Sequence, residues 1–226
     1  MKTYKKNAIS IGVLFIATML VGMIDAYFVE PELKSPIINI LHVERKLLTG
    51  VFSILIMAIG IVFIAIAFYP VIKKQNESIA ITYLVFRVIE CVLLIIGPIC
   101  YLYLIALEGE AIIESGSSNF VTATILALKV KNYGFQIAMI LLGIGSLFLC
   151  YALYTSRLVP RFLSIWGGIG YLLLLVSAVL DIAGLIDTAD GLGAILYVPG
   201  GLWEILVFPL WLFVKGFHIP EKNNTS

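Results

Sequence analysis

The sequence predicts an all-α protein, a polytopic transmembrane helix bundle of six spans with both termini on the cytoplasmic side. Three observations point there. Hydrophobic residues make up 61% of the chain and charged residues 13%, whereas a soluble domain is nearer half apolar and a quarter charged. Six apolar runs are each long enough to cross a bilayer and are separated by charged or Pro/Gly-punctuated connections. The basic residues also gather on one side of the topology those runs imply.

Taken in order, the spans fall at about residues 9–29, 47–69, 79–107, 133–154, 162–186 and 192–217, in a single transmembrane domain over residues 1–226. A basic head followed by an apolar run also resembles a signal peptide. The first run is longer than the usual h-region of about 7–15 residues and no small-residue cleavage pattern follows it, so it is expected to stay as a span. The segment up to Lys46 mixes charge with Ile37, Ile38, Ile40 and Leu41, a pattern suited to a short helix lying along the interface. Pro70, Lys73 and Lys74 stop the second span. An acidic, flexible connection over residues 108–119 leads to a stretch that reads as one long helix from about 120 to 154, because no proline or turn cluster interrupts it. Arg157, Pro160 and Arg161 mark a basic turn, and Asp187, Asp190 and Gly191 close the fifth span.

With six spans, Lys2, Lys5, Lys6, Lys73, Lys74, Arg157, Arg161, Lys215 and Lys222 share the side of the termini, nine against the five of Lys34, Arg45, Lys46, Lys129 and Lys131. The positive-inside rule places that side in the cytoplasm.

The third span carries two charges well inside its ends, Arg87 and Glu90. Placing such a residue at the centre of a bilayer costs about 2.5–3.5 kcal/mol by insertion scales, so charges at depth face the protein interior and pair. Three residues apart, the two share a helix face. At about 1.5 Å per residue, Arg87 lies roughly 12 Å from the cytoplasmic end of its span, Glu90 about 16 Å, and Glu204 about 15–20 Å from the same end of the sixth. Similar depth makes Arg87, Glu90 and Glu204 one expected centre, in which a planar guanidinium serves two acids. Pro199, Gly200, Gly201 and Pro209 interrupt the helix around Glu204, and Pro98 does so beyond Glu90; interrupted helices at membrane depth tend to line cavities. The centre therefore reads as a ligand or proton site. The competing reading is that Arg87 only ties two helices together. Asp25, Lys131, Gln136 and Asp181, with Asn132, form a second candidate group at the outer face, as a vestibule or as residues meeting solvent.

Other chemistry finds little support. A net charge of +1, with no basic tail and no aromatic-basic interleave, disfavours nucleic acid as a partner. HExxH, GxSxG and phosphate-binding glycine loops are missing from the sequence, so no catalytic residue and no cofactor are expected. Its two histidines, His42 and His218, fall on opposite sides of the expected topology, which argues against a shared metal. Cys91, Cys100 and Cys150 lie in apolar segments without CxxC spacing and read as buried free thiols.

Five blocks in fixed order complete the pattern: Phe86, Arg87 and Glu90; Tyr133, Gly134 and Phe135; Leu158, Pro160, Arg161; Gly168, Gly170 and Tyr171; and Glu204 followed by Leu210, Trp211, Lys215 and Gly216. Together they resemble the bacterial membrane family called domain of unknown function 4386, over essentially the whole chain. The resemblance implies six transmembrane helices in a bacterial cytoplasmic membrane and no established activity. Lys131 stands where the family pattern often has histidine.

The expectation is thus a multi-pass protein of the bacterial cytoplasmic membrane, with the lipid bilayer as its surroundings. Its buried Arg/Glu centre would bind or transport a small amphiphile or a proton-coupled solute. The alternative is a non-catalytic membrane interaction or assembly protein in which the buried charges are structural.

Overall fold

The computed structural model describes residues 2–33, 40–111, 118–188 and 190–218 of the chain. Among them there is no strand. Helix α1 (Lys2–Ile24) passes through a π-helical turn, Asp25–Val29, into the short α2 (Glu30–Leu33). Next come α3 (Ile40–Ile72), α4 (Glu77–Leu94), α5 (Ile96–Ala111), α6 (Ser118–Ser156) and α7 (Arg161–Ile182). The chain closes with α8 (Gly191–Leu202), a second π-helical turn, Trp203–Val207, and α9 (Phe208–Val214). Among the described residues, six stretches are long and apolar enough to cross a membrane: Asn7–Val29, Glu44–Ile72, Glu77–Leu107, Thr122–Ser156, Arg161–Ile182 and Gly191–Val214.

The boundaries follow local chemistry. Residues 34–39 of the expected interfacial segment and 112–117 of the acidic connection lie outside the described residues. From Ile40 onward the chain has no breaker before the second span, so residues 40–46 are the first turns of α3 and not a separate helix. Likewise the expected long helix over 120–154 is the uninterrupted α6. The third span is interrupted at Ile95, ahead of Pro98, which cannot donate to the ladder, and continues as α5. Asn76 caps α4 by accepting from the Ile79 amide at 3.1 Å. The fifth span ends at Ile182, sooner than its apolar run suggests. Gly184, at φ 71°, donates to Asp181 O and Leu185 donates to Leu180 O, the paired bonds of a Schellman motif that only a residue free to take positive φ completes at low cost.

Packing runs in chain order. Each span packs against the next, and α9 returns to α1, so the six form a closed ring. The second span shows how the pattern is written. Leu47, Val51, Ile54, Ala58, Ile61, Ala65, Phe68 and Ile72 are all buried, alternating four and three residues apart in the rhythm of a helix–helix seam. Phe52, Ile56, Ile59, Phe63 and Ile66 repeat on the opposite side and are half-exposed or more, an apolar face suited to lipid. On α4 the polarity is inverted. Ala80, Tyr83, Arg87, Glu90 and Leu94 face inward, while Val85, Val88, Ile89 and Val92 face out.

Aromatic rings fill the interior. Phe15 meets Phe68, Trp203 and Phe208 edge-on at centroid distances of 6.2, 6.2 and 5.7 Å, and Trp203 stacks on Phe208 at 4.2 Å. The buried Trp203 indole donates to Leu163 O at 2.8 Å, tying the sixth span to the fifth. Between those spans the backbones nearly touch: a Cβ on Gly170 would lie 2.8 Å from both Cα and N of Gly200, the close approach that small residues permit in membrane bundles.

This contact generates a matched pair of substitutions. Gly170→Ala drives a methyl into backbone and should destabilise the protein by on the order of 1–3 kcal/mol. Gly201→Ala, where a Cβ meets nothing within 4 Å, should be neutral or slightly stabilising. Thermal unfolding in detergent distinguishes the two.

Candidate functional site

Arg87, Glu90 and Glu204 meet inside the ring, 3%, 2% and 8% exposed. The register of α4 explains the first two, since the buried positions 80, 83, 87, 90 and 94 form one stripe. Arg87 Nη1 donates to both Glu90 carboxylate oxygens, at 3.2 and 3.0 Å, and Nε donates to the Tyr83 hydroxyl at 3.1 Å. Across the interior, Arg87 Nη2 lies 3.6 Å from Glu204 Oε1. That same oxygen accepts from the Tyr171 hydroxyl at 2.5 Å. The centre thus holds two carboxylates, one guanidinium and two phenols. Its short contacts to Arg87 all come from α4 itself, and the contact to the sixth span is the longest.

A second buried group lies at the other end of the bundle. Asp25 is 7% exposed; it accepts from the Tyr101 hydroxyl at 2.9 Å and pairs with Lys131 Nζ at 3.3 Å. Lys131 also donates to Glu30 at 2.6 Å, and its ammonium lies 5.0 Å from the Tyr101 ring centroid. Gln136 and Asp181 belong to a different group. Gln136 donates to the Thr188 hydroxyl and accepts from Tyr197, while Asp181 accepts from the Thr188 amide and hydroxyl at 2.8 Å each. Asn132 reaches Asp181 at 3.4 Å. The four outer candidates therefore do not share one site. Neighbouring positions on α6 send Lys131 toward α1 and α5 and send Asn132 and Gln136 toward α7 and α8.

The two π-helical turns give the buried acids a common setting. One begins at Asp25, six residues before Pro31, and the other at Trp203, six before Pro209. A proline ring crowds the carbonyl four residues back, and a widened turn relieves this by inserting an extra residue into the ladder. Glu30 N donates to Asp25 O and Phe208 N to Trp203 O, both in the i→i−5 pattern. Each turn holds an inward carboxylate bonded to a tyrosine. Such bulges recur at functional sites.

Reading for charge alone finds the acids and bases and misses their phenol partners. Tyr83 carries a usable signal, sitting one turn before Arg87 on the same face. Tyr171 and Tyr101 carry none, since each joins its acid from a distant part of the chain. Glu30 stands in a proline-flanked exit that reads as interface, yet it shares Lys131 with Asp25.

The Lys131 group yields a stability prediction. Lys131→Met leaves the buried Asp25 without its cation and should cost about 3 kcal/mol, at the lower edge for breaking a buried pair. Adding Asp25→Asn should recover part of that loss in thermal unfolding.

No curated protein and no solved structure matches the chain. The profile of the family described as Domain of unknown function (DUF4386) matches residues 10–216, a stretch containing both buried charge groups and both π-helical turns. The protein is a multi-pass helical membrane protein that belongs to the DUF4386 family.

Proposed function

We propose that the Arg87, Glu90 and Glu204 centre is a site of exchange, binding or moving a small amphiphile or a proton-coupled solute through the sixth-span carboxylate. The observation that carries this reading is the distribution of contacts around Arg87. A guanidinium whose task is to tie helices together would make its best contact between helices. Here the short bonds go to Glu90 and Tyr83 on its own helix, and Glu204 stands off at 3.6 Å. Glu204 is the carboxylate held most loosely by the cation.

Charge counting supports the same reading. Two ionised carboxylates against one guanidinium leave an excess negative charge, and an uncompensated charge at membrane depth costs about 2.5–3.5 kcal/mol on insertion scales. A proton on the centre, or the cationic head of an amphiphile, neutralises it. The π-helical turn that carries Glu204 bonds the Phe208 amide to Trp203 O in the i→i−5 pattern, a backbone feature that recurs at functional sites. The alternative, a membrane interaction or assembly protein with structural charges, draws on the tight aromatic packing around Trp203 and Phe208.

The setting proposed is a bacterial cytoplasmic membrane, with the end carrying Lys5, Lys73, Lys74, Arg157, Arg161 and Lys215 in the cytoplasm. The basic bias supports that orientation, and the resemblance of the sequence blocks supports the compartment. No catalytic role and no cofactor enter this reading.

The test uses purified protein in proteoliposomes under an imposed pH gradient, with ethidium as a fluorescent lipophilic cation. Glu204→Gln should fold normally and lose cation-coupled flux about tenfold or more, the scale of a single lost charge contact. Should Glu204→Gln and Glu90→Gln both fold and support wild-type proton and ethidium movement, the reading is wrong. Arg87→Ala lowering thermal stability with flux untouched would instead favour the structural role.

A further inference from the structure

A groove of about 490 Å³ opens at the basic end of the bundle, lined by Arg157, Val159, Pro160, Arg161, Trp211 and His218. Its residues come from the turn joining α6 to α7 and from the end of the sixth span, which His218 N holds against that turn by donating to Leu158 O at 2.8 Å. Among the described residues, no carboxylate lines it. Among the described residues, no ion pair joins Arg157 or Arg161 to a carboxylate. Arg157 is held at φ 53°, a conformation an L side chain rarely adopts and one associated with ligand clamps. The indole Nε1 of Trp211 is closed off from solvent and finds no acceptor among the described residues.

A second groove, of about 180 Å³, runs between α6 and α7 and is bounded by Leu147, Tyr151, Ile165 and Gly168. It is apolar and faces the side of the bundle that exposes Phe162, Ile165 and Ile169. Tyr154 joins the two. It lines the apolar groove, and the Arg161 guanidinium lies 5.1 Å from its ring centroid. From Leu147 to Tyr154 is about 10 Å along the helix, room for part of one acyl chain. Basic side chains and a tryptophan at the level where spans leave the membrane, linked through the Arg161–Tyr154 contact to a lipid-facing crevice, match one chemistry.

We infer that this paired groove is a binding site for an anionic phospholipid, its phosphate headgroup between Arg157, Arg161 and His218 and one acyl chain along α6 and α7. The site is separate from the Arg87 centre and stands or falls independently of what that centre carries. A free phosphate shares the headgroup chemistry but has nothing to place in the apolar groove, so the lipid is the favoured occupant.

Native mass spectrometry of the detergent-purified full chain tests this with three probes: dioleoyl phosphatidylglycerol, dioleoyl phosphatidylcholine and inorganic phosphate. Phosphatidylglycerol should be retained in preference to phosphatidylcholine, and excess phosphate should not displace it. With about 1 kcal/mol for each basic residue near an anionic lipid, Arg157→Gly should weaken phosphatidylglycerol about fivefold and Arg157→Gly/Arg161→Gln about thirtyfold. Glycine takes the φ of residue 157 without strain, so Arg157→Gly should keep the wild-type Tm and separates lost binding from lost folding. Equal retention of the two lipids, or unchanged phosphatidylglycerol binding in a folded Arg157→Gly protein, overturns the assignment. Displacement by phosphate overturns the lipid in favour of a free anion.

Discussion

A guanidinium enclosed by hydrocarbon and aromatic rings sets the terms for the rest of this bundle. Arg87 cannot face lipid without a penalty that most single packing contacts fail to offset, so α4 must turn its 80, 83, 87, 90 and 94 stripe inward. That choice fixes the rotation of α4, and its neighbours then complete the enclosure: Phe68 and Tyr83 meet edge-on at 5.9 Å, while Tyr171 and Glu204 close the centre from the fifth and sixth spans. The ring closes around polar chemistry, whereas the outward faces of its second and third spans carry Phe52, Ile56, Phe63, Val85, Val88 and Val92.

The second constraint is proline. Pro31 and Pro209 each follow a widened turn, and each widened turn presents a carboxylate inward to a tyrosine and a cation. The two charge groups lie toward opposite ends of the spans. Arg87 and Tyr101 are 14 residues apart along the third span, about 21 Å at the helical rise, or most of the hydrocarbon thickness. They differ in geometry. Lys131 reaches Glu30 at 2.6 Å and Asp25 at 3.3 Å, a tie between helices, whereas Arg87 makes its short contacts within its own helix and leaves Glu204 at longer range.

Much of this was legible in the sequence, and the reasons differ by residue. Six spans followed from composition and run length, because hydrocarbon thickness sets how many apolar residues a span needs. Arg87, Glu90 and Glu204 were found because charge inside a span is costly enough to demand partners, and counting depth brought them to one level. The four outer candidates were harder. Asp25 and Lys131 meet, but Gln136 and Asp181 lie around α6, where a shift of one residue turns a side chain by about 100° at 3.6 residues per turn; depth alone does not resolve azimuth. The tyrosines escaped notice because a phenol is tolerated at almost any position in a membrane helix and shows its role only through its partner. The early end of the fifth span, set by Gly184, was hidden because the apolar run continues past it through Leu185 and Ile186.

The Arg87 centre holds two carboxylates against one guanidinium, and on the proposed reading the excess acid is taken up by a proton or a cationic guest. Infrared difference spectroscopy of the protein in lipid bilayers tests it most directly, by following the carboxyl C=O stretch as pH changes. One protonated carboxyl is expected, lost in Glu204→Gln or Glu90→Gln and ionising when a bound cation replaces the proton. Two carboxylates that stay ionised at every pH at which the protein remains folded, with no band removed by either substitution, would contradict it.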